Sequence, residues 1–320
     1  MFPFSFQNHG ILGINARNLD YLFPNNPRRL YSLADSKLET KKIAESIGVA
    51  VPETYGVIRF QNEVKTISKL VGDRQSFVVK PARGSGGDGI LVIKEATAEE
   101  YRQASGTVLS RDDLQYHLYN ILGGMFSLSG RDVVIIEAVV EFDSVFDEIA
   151  YQGVPDIRII VYHGVPAMAM LRLPTQASDG KANLHRGGVG VGIDLATGKT
   201  TTGIQSNRYI NNHPETGHPL GDHQIPDWHT LLEMAAKLGE KTAFNYLGVD
   251  IVLDRQQGPL LLEINARPGL SIQIANGEGL IGRLETIDAA LPKLTNVSEK
   301  IEFAQRNFSL LNAALRRNSE

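Results

Sequence analysis

Two apolar runs near the C-terminal third constrain this chain most: Gly248-Val-Asp-Ile-Val-Leu-Asp254 and Leu260-Leu-Leu-Glu-Ile-Asn-Ala-Arg-Pro-Gly269. They read as two strands joined by a turn near Asp254 to Pro259, so the chain must hold an antiparallel hairpin. Pairing Leu253 with Leu260 sets Asp250 opposite Glu263, and Glu263 shares a face with Asn265 two residues on. Two carboxylates and an amide oxygen then converge. Those residues would line the solvent face of an edge hairpin if they carried no chemistry. Ile251, Leu261, Leu262 and Ile264 argue instead for a buried hairpin. Like charges facing each other there repel unless a cation lies between them. Hard oxygen donors of this kind suit Mg²⁺, which takes one or two carboxylates and fills its shell with water and phosphate oxygens.

The second constraint is Lys80-Pro-Ala-Arg-Gly-Ser-Gly-Gly-Asp-Gly89. Gly84, Gly86 and Gly89 satisfy the spacing of a dinucleotide fingerprint, but that motif requires a helix directly afterwards. Here Ile90-Leu-Val-Ile follows as a strand. Phe77 to Lys80, the glycine turn and Ile90 to Lys94 therefore form a hairpin. Such a loop can fold over nucleotide phosphates because glycines let backbone N–H groups approach closely. Lys80 on the preceding strand would add a cation. A surface hairpin turn accounts for the same residues equally well. Gly198-Lys199-Thr200 imitates the end of a P-loop, but Ile193 stands where that motif needs glycine. Asp194 to Lys199 is read as a turn between strands.

Around these motifs the order of elements is α+β with several hairpins rather than regular βαβ alternation. Ser36 to Ile47 reads as a helix capped by Ser36, with Glu39 three residues on and Gly48 as its stop. A strand is expected near Thr54 to Ile58, a helix over 61–71, mixed helical segments and loops over 97–129, and an apolar strand over Val133 to Glu141. Asp156 to Tyr162 and Ala167 to Leu173 form a hairpin around His163-Gly164. Residues 174–192 and 211–226 are polar loops, Trp228 to Asn245 is a helix, and 297–317 an amphipathic C-terminal helix with Ile301, Phe303, Phe308, Leu310, Leu311 and Leu315 as core or subunit contacts. Residues 1–34 read as a docked arm, too short for a core of their own. His213, His218 and His223 lie at five-residue intervals without a supporting carboxylate or cysteine framework, so a polar loop is preferred to a metal site. Arg186, beside Gly187 and Gly188, can grip a phosphate or carboxylate, although a lone loop arginine is more often solvated. Lys37 at a helix start is unfavourable unless an anion sits there too.

Composition removes other classes. No cysteine is present, which excludes disulfides, thiolate zinc sites and cysteine nucleophiles. A net charge of −4 gives no broad basic surface for nucleic acid. Residues Met1 to Gly10 lack the pattern of a signal peptide, and no run reaches the ~18 apolar residues of a membrane helix. A cytoplasmic protein without a membrane span is expected.

Taken in order, Asp35-Ser-Lys37, Phe77 to Gly89, Ile135-Ile-Glu-Ala-Val139, Asp156-Ile-Arg158, Asn183 to Gly188, Gly248-Val-Asp-Ile251 and Glu263-Ile-Asn-Ala-Arg-Pro-Gly269 resemble the ATP-grasp superfamily, and most nearly its alpha-L-glutamate ligase-like members, relatives of the ribosomal-protein glutamate ligases. The resemblance implies two α+β subdomains clasping ATP, over 35–132 and 133–290, with a truncated N-terminal segment (1–34) and a C-terminal helix (291–320). It implies that Lys37 and Lys80 bind phosphates and that Gly84, Ser85, Gly86, Gly87 and Gly89 form the phosphate lid. Glu137 and the backbone of Ala138 and Val139 would hold adenine. Glu141 is the first choice for ribose, with Asp143 and Glu148 as alternatives. Arg158 would touch the γ-phosphate. Asp250, Glu263 and Asn265 would hold two Mg²⁺, with Mn²⁺ able to replace it. Asn183, Arg186 and Arg267 would face the transferred phosphoryl group and the acceptor carboxylate. The implied activity is ADP-forming ligation of a carboxylate to an amine, the acceptor an amino acid, peptide or protein, in a homo-oligomer. A small-molecule kinase and a non-catalytic nucleotide-binding protein are the alternatives. The chain has Asn-Ala-Arg-Pro-Gly where the ribosomal-protein ligases commonly have Asn-Ala-Ser-Pro-Gly, and only about 35 residues precede its core.

Overall fold

The computed structural model describes residues 10–84, 86–97, 99–127 and 130–309. Ser85 and the expected core positions Leu310, Leu311 and Leu315 lie outside the described residues. Helix α1 (Lys37–Ser46) begins as its sequence dictates: the Ser36 hydroxyl accepts from the Glu39 N–H, and the chain leaves the helix through Gly48 at φ +70°.

The strands build two antiparallel sheets. The first holds β1 (Thr54–Ile58), β2 (Phe77–Pro81), β3 (Leu91–Ala96), β4 (Glu100–Gln103), β5 (Val108–Ser110) and β6 (Val134–Glu137), in spatial order β1-β6-β2-β3-β4-β5. The second holds β7 (Asp156–Tyr162), β8 (Val165–Leu173), β9 (Val189–Ile193), β10 (Thr200–Gln205), β11 (Arg208–Ile210), β12 (Tyr246–Asp254) and β13 (Gly258–Asn265), in order β11-β10-β9-β8-β7-β12-β13. Helix α2 (Arg111–Leu122), opened by a Ser110–Asp113 capping box, covers the first sheet with Leu114, Leu118, Ile121 and Leu122. Helix α3 (Trp228–Thr242) lays Leu231, Leu232, Ala235 and Leu238 on the second, and α4 (Ile281–Ala290) and α5 (Val297–Asn307) complete that side.

Each sheet has its own core. Phe77, Val79, Ile93, Val134 and Ile136 belong to the smaller one, while the larger gathers β7 to β10, β12, β13 and α3 to α5 with Leu12 and Leu22 of the N-terminal arm. Full burial of such side chains contributes about 1.5–3 kcal/mol each. These cores correct the expected boundary at 132/133. Strand β6 is hydrogen-bonded between β1 and β2, so it belongs to the first sheet, whereas Ala44 of α1 and Val49 just after it are buried in the second core. The apolar run continuing to Glu141 suggested a longer strand, but pairing stops at Glu137. Strands β4 and β5 fall where helix and loop were expected; at four and three residues they are too short for readable alternation, and β5 closes the edge of the sheet. Likewise β9 starts inside the expected 174–192 loop.

The β12–β13 hairpin contains a further correction. Leu253 pairs with Pro259, not Leu260, and Val252 takes Leu260. A bulge between Asp250 and Ile251, with Leu262 as the extra residue, then restores Asp250 opposite Glu263.

Candidate active site

Helix α1 touches both sheets. Its first N–H, from Lys37, donates to the Ala82 carbonyl after β2, and the Leu261 N–H of β13 donates to Ala50 just beyond the helix. Lys37 and Lys41 are one turn apart and share a face. The Lys37 ammonium donates to the Gly84 carbonyl of the glycine loop and lies 3.5 Å from the Glu263 carboxylate of β13. Lys41 reaches the other way, to Glu137 of β6. One helix face thus carries two cations, each answered by a carboxylate on a different sheet.

In the first sheet Glu137 lies opposite Val78, one diagonal step from Lys80 on β2. Its Oε1 pairs with Lys80 and its Oε2 with Lys41; all three side chains are about 5% exposed. Burial pushes the Glu137 carboxyl up, but Lys80 and then Lys41 outweigh it and hold it below the ordinary range. For Lys41, burial prevails and lowers the ammonium. The Ala138 N–H donates to the Glu53 carbonyl at 2.8 Å, so this donor of the expected adenine edge is already engaged. Of the ribose candidates, Asp143 caps Val145 and Glu148 lies 3.6 Å from His218. No hydrogen bond or ion pair engages the exposed Glu141 carboxylate among the described residues, although its backbone is pinned to Asp254 and Arg255.

The glycine loop runs through positive φ at Gly86, Gly87 and Gly89 (+66°, +79° and +75°), backbone that favours glycine. At Gly89 a Cβ would also meet the Phe126 ring at 2.6 Å. Asp88, which carried no role in the sequence, accepts from Arg186 at 2.8 Å with both oxygens and lies 3.8 Å from Lys181. The loop is thereby latched to the Asn183–Gly188 segment. Within that segment the Asn183 amide oxygen accepts from the His185 N–H.

In the second sheet charges line up across four adjacent strands. Arg158 on β7 is cross-strand partner of Asp250 on β12 and grips it bidentately, at 2.7 and 2.6 Å. Arg172 on β8 pairs with Asp156 on β7 and also donates to Asp250 at 2.8 Å. The Asn265 amide nitrogen donates to Asp250 at 3.0 Å and to Glu263 at 3.4 Å. The three expected metal ligands do converge on one spot. The cation answering Asp250, however, is a pair of arginines. Burial pushes the Asp250 carboxyl up, yet Arg158 and Arg172 hold it down at about 2. Asp156 goes the other way: burial raises it to about 7 against the pull of Arg172.

Arg267 does not join this cluster; its guanidinium lies over the Tyr31 ring, 4.7 Å from the centroid. The three loop histidines do not converge either. His213 is buried on the Pro174 carbonyl, His218 faces Glu148 and His223 meets the Pro219 carbonyl. No group of three or more His, Asp or Glu able to hold a metal occurs among the described residues. The acidic set fits magnesium through its chemistry: Glu263 is 30% exposed, and Asn265 spends its nitrogen but not its oxygen on the carboxylates. Asp250 already accepts four hydrogen bonds, three at Oδ2 and one at Oδ1, so Oδ1 is its less engaged oxygen. Sequence reasoning missed Lys41, Arg172 and Asp88. The first had a signal: a second lysine four residues after Lys37 needs its own anion.

Two antiparallel sheets bridged by a lysine-bearing helix, with an acidic hairpin on one and a glycine loop behind a buried lysine on the other, define an ATP-grasp protein. The sequence model described as Sugar-transfer associated ATP-grasp matches residues 16–289, and the chain belongs to that family. Among curated proteins it is similar to a probable alpha-L-glutamate ligase of Aeromonas salmonicida, 23% identical over 254 residues, covering 79% of this chain and 63% of the relative. It is also similar to the ribosomal protein bS6–L-glutamate ligase of Salmonella newport, 24% identical over 263 residues, covering 82% and 66%. The chain therefore spans just under two thirds of these relatives' length. Among solved structures, a biotin carboxylase–β,γ-ATP complex from Campylobacter jejuni aligns with a TM-score of 0.51 at 14% identity, covering 84% of this chain and 49% of that one; this likeness speaks for the fold alone. No helix among the described residues is long and apolar enough to cross a membrane.

Proposed function

We propose that the chain binds ATP with magnesium between its two sheets and uses it to activate a carboxylate for amide formation. The observation that carries this reading is Lys37, which meets both the glycine loop at Gly84 and Glu263 of the acidic hairpin. An anion placed there would touch parts of both sheets at once. Lys80 and Lys37 take its phosphates, the 84–89 loop covers them, and Glu141 holds the ribose. Glu263 and the Asn265 oxygen would hold magnesium, with Oδ1 of Asp250, which accepts a single hydrogen bond, able to join them; two ions are expected. Bound magnesium supplies positive charge that offsets the charge on the β- and γ-phosphates.

An acceptor carboxylate oxygen attacks the γ-phosphorus, and the bond from that phosphorus to the β–γ bridging oxygen breaks, releasing ADP. Arg158, oriented by Asp250, stabilises the transferring phosphoryl group. An amine then attacks the acyl carbon of the acyl phosphate, phosphate leaves with the bonding pair, and the amine proton passes to solvent. Arg186, released from Asp88 when substrate arrives, faces the acceptor; this opening and closing of the loop excludes water from the acyl phosphate. The glutamate ligase names of the relatives make amino acids, and the ribosomal protein ligase a protein acceptor, the first to try.

The test is ADP release by the full chain with Mg²⁺ and paired panels of carboxylates and amines. ADP and a new amide, both requiring the amine, are expected. A stable phosphoester formed without amine would replace the ligase reading with a kinase. No ADP with any pair would leave a nucleotide-binding protein.

A further inference from the structure

The buried Lys41–Glu137–Lys80 cluster holds two ammonium groups and one carboxylate, an excess of one positive charge with side chains about 5% exposed. An unbalanced charge at such depth is costly unless something answers it. The two lysines differ in how they are satisfied. Lys41 donates to the Pro52 carbonyl at 2.7 Å, the Thr54 hydroxyl at 3.0 Å and Glu137 Oε2. Those are all three donors an ammonium has. Lys80 meets only Glu137 Oε1 among the described residues, so two of its donors remain unspent. The backbone enforces the arrangement: Thr54 on β1 is the cross-strand partner of Glu137, and Pro52 lies just before that strand.

We propose that Lys41 is a positioning residue for nucleotide binding. It grips one oxygen of Glu137 from the α1 side, so that Lys80 shares only the other oxygen and keeps two N–H donors and the surplus charge for a phosphate. Without Lys41, the second oxygen of Glu137 is left without its donor. Lys80 is the remaining cation that can answer it, and it does so by turning further onto the carboxylate. The cluster then becomes neutral and the phosphate loses its partner. The fold need not fail, because Glu137 keeps one buried cation. This inference rests on the ATP-binding reading of the site and assigns a role within it to a residue that touches no substrate.

The test is ATP titration by calorimetry, with Mg²⁺, on the full chain. Lys41→Met should stay folded by circular dichroism and bind ATP roughly tenfold more weakly, and Lys41→Arg should recover most of that loss. The discriminating measurement places Lys41→Met in a Glu137→Gln background. If Lys41 acts through Glu137, its removal there changes affinity less than about twofold. An unchanged affinity for folded Lys41→Met overturns the proposal, as does a full tenfold loss in the Glu137→Gln background. If Lys41→Met does not fold, Lys41→Gln, which can still hydrogen-bond Pro52 and Thr54, carries the same test. A wild-type chain that binds no ATP overturns the functional reading and this inference together; wild-type binding with an unaffected variant overturns this inference alone.

Discussion

The two charged clusters, one on each sheet, are built to opposite rules. On the first sheet, Lys41, Glu137 and Lys80 leave a positive surplus and unspent donors on one lysine. On the second, Asp156, Arg172, Asp250 and Arg158 interlock two carboxyl groups with two guanidinium groups, and Asp250 accepts four hydrogen bonds. An unsaturated cluster can bind a ligand; a saturated one holds its members in place. On the proposed function, the first sheet would offer charge to a phosphate. The second fixes the orientation of Arg158 and, on the same proposal, would present Glu263, at the exposed end of the row, to a cation.

The sharpest way to break this contrast is Glu263→Gln. Turnover should fall by about a thousandfold or more while the circular dichroism spectrum is unchanged; ordinary ADP formation by this variant would remove Glu263 from the chemistry. Next, Asp250→Asn should cost about 3 kcal/mol of stability, because it leaves the buried Arg158 without its carboxylate and takes one of two carboxylates from Arg172. A urea midpoint equal to wild type would show that the quartet is not saturated as described. The pH response follows the sign of the Asp250 shift. Its carboxyl is held down at about 2 in the folded chain, so its contribution is present above the unfolded value near 4 and is lost as pH falls through 2. Relative to Asp250→Asn, the wild type should lose about 2 kcal/mol over that window in thermal melts; parallel curves would contradict the shift. Lys80→Ala should weaken ATP binding about tenfold by calorimetry, and unchanged affinity would count against the first cluster as the phosphate site. Smallest of all, Arg186→Ala breaks an ion pair between partners 40% and 48% exposed. Stability should move by less than about 0.5 kcal/mol. A larger change in the melting curve would make the latch a structural strut rather than a movable contact.

Much of this was legible along the chain. The capped helix at Ser36, the glycine loop between strands and the apolar hairpins are local features, set by caps, by φ preferences and by period-two patterning. The convergence of Asp250, Glu263 and Asn265 was expected too, but by pairing Leu253 with Leu260, which the structure does not do. A bulge at Leu262 brings the charges to the same place by another route. The β7–β8 hairpin repeats the lesson. Near its turn Tyr162 pairs with Val165, and a shift between Ile160 and Val161 then sets Asp156 opposite Arg172. Regular pairing carried outward from that turn would set Asp156 opposite Leu171 rather than Arg172. Arg267, expected at the acceptor, lies instead over Tyr31 of the N-terminal arm, a neighbour no local pattern names.

The order of residues alone determined which segments become helix, strand and glycine turn, and which side chains carry charge. Only the tertiary structure decided which charges meet, because a single extra residue in one strand moves every position beyond it by one step against its neighbour. It also decided that α1 would lie between two cores, so that Lys37 and Lys41, neighbours on one helix, answer carboxylates on different sheets.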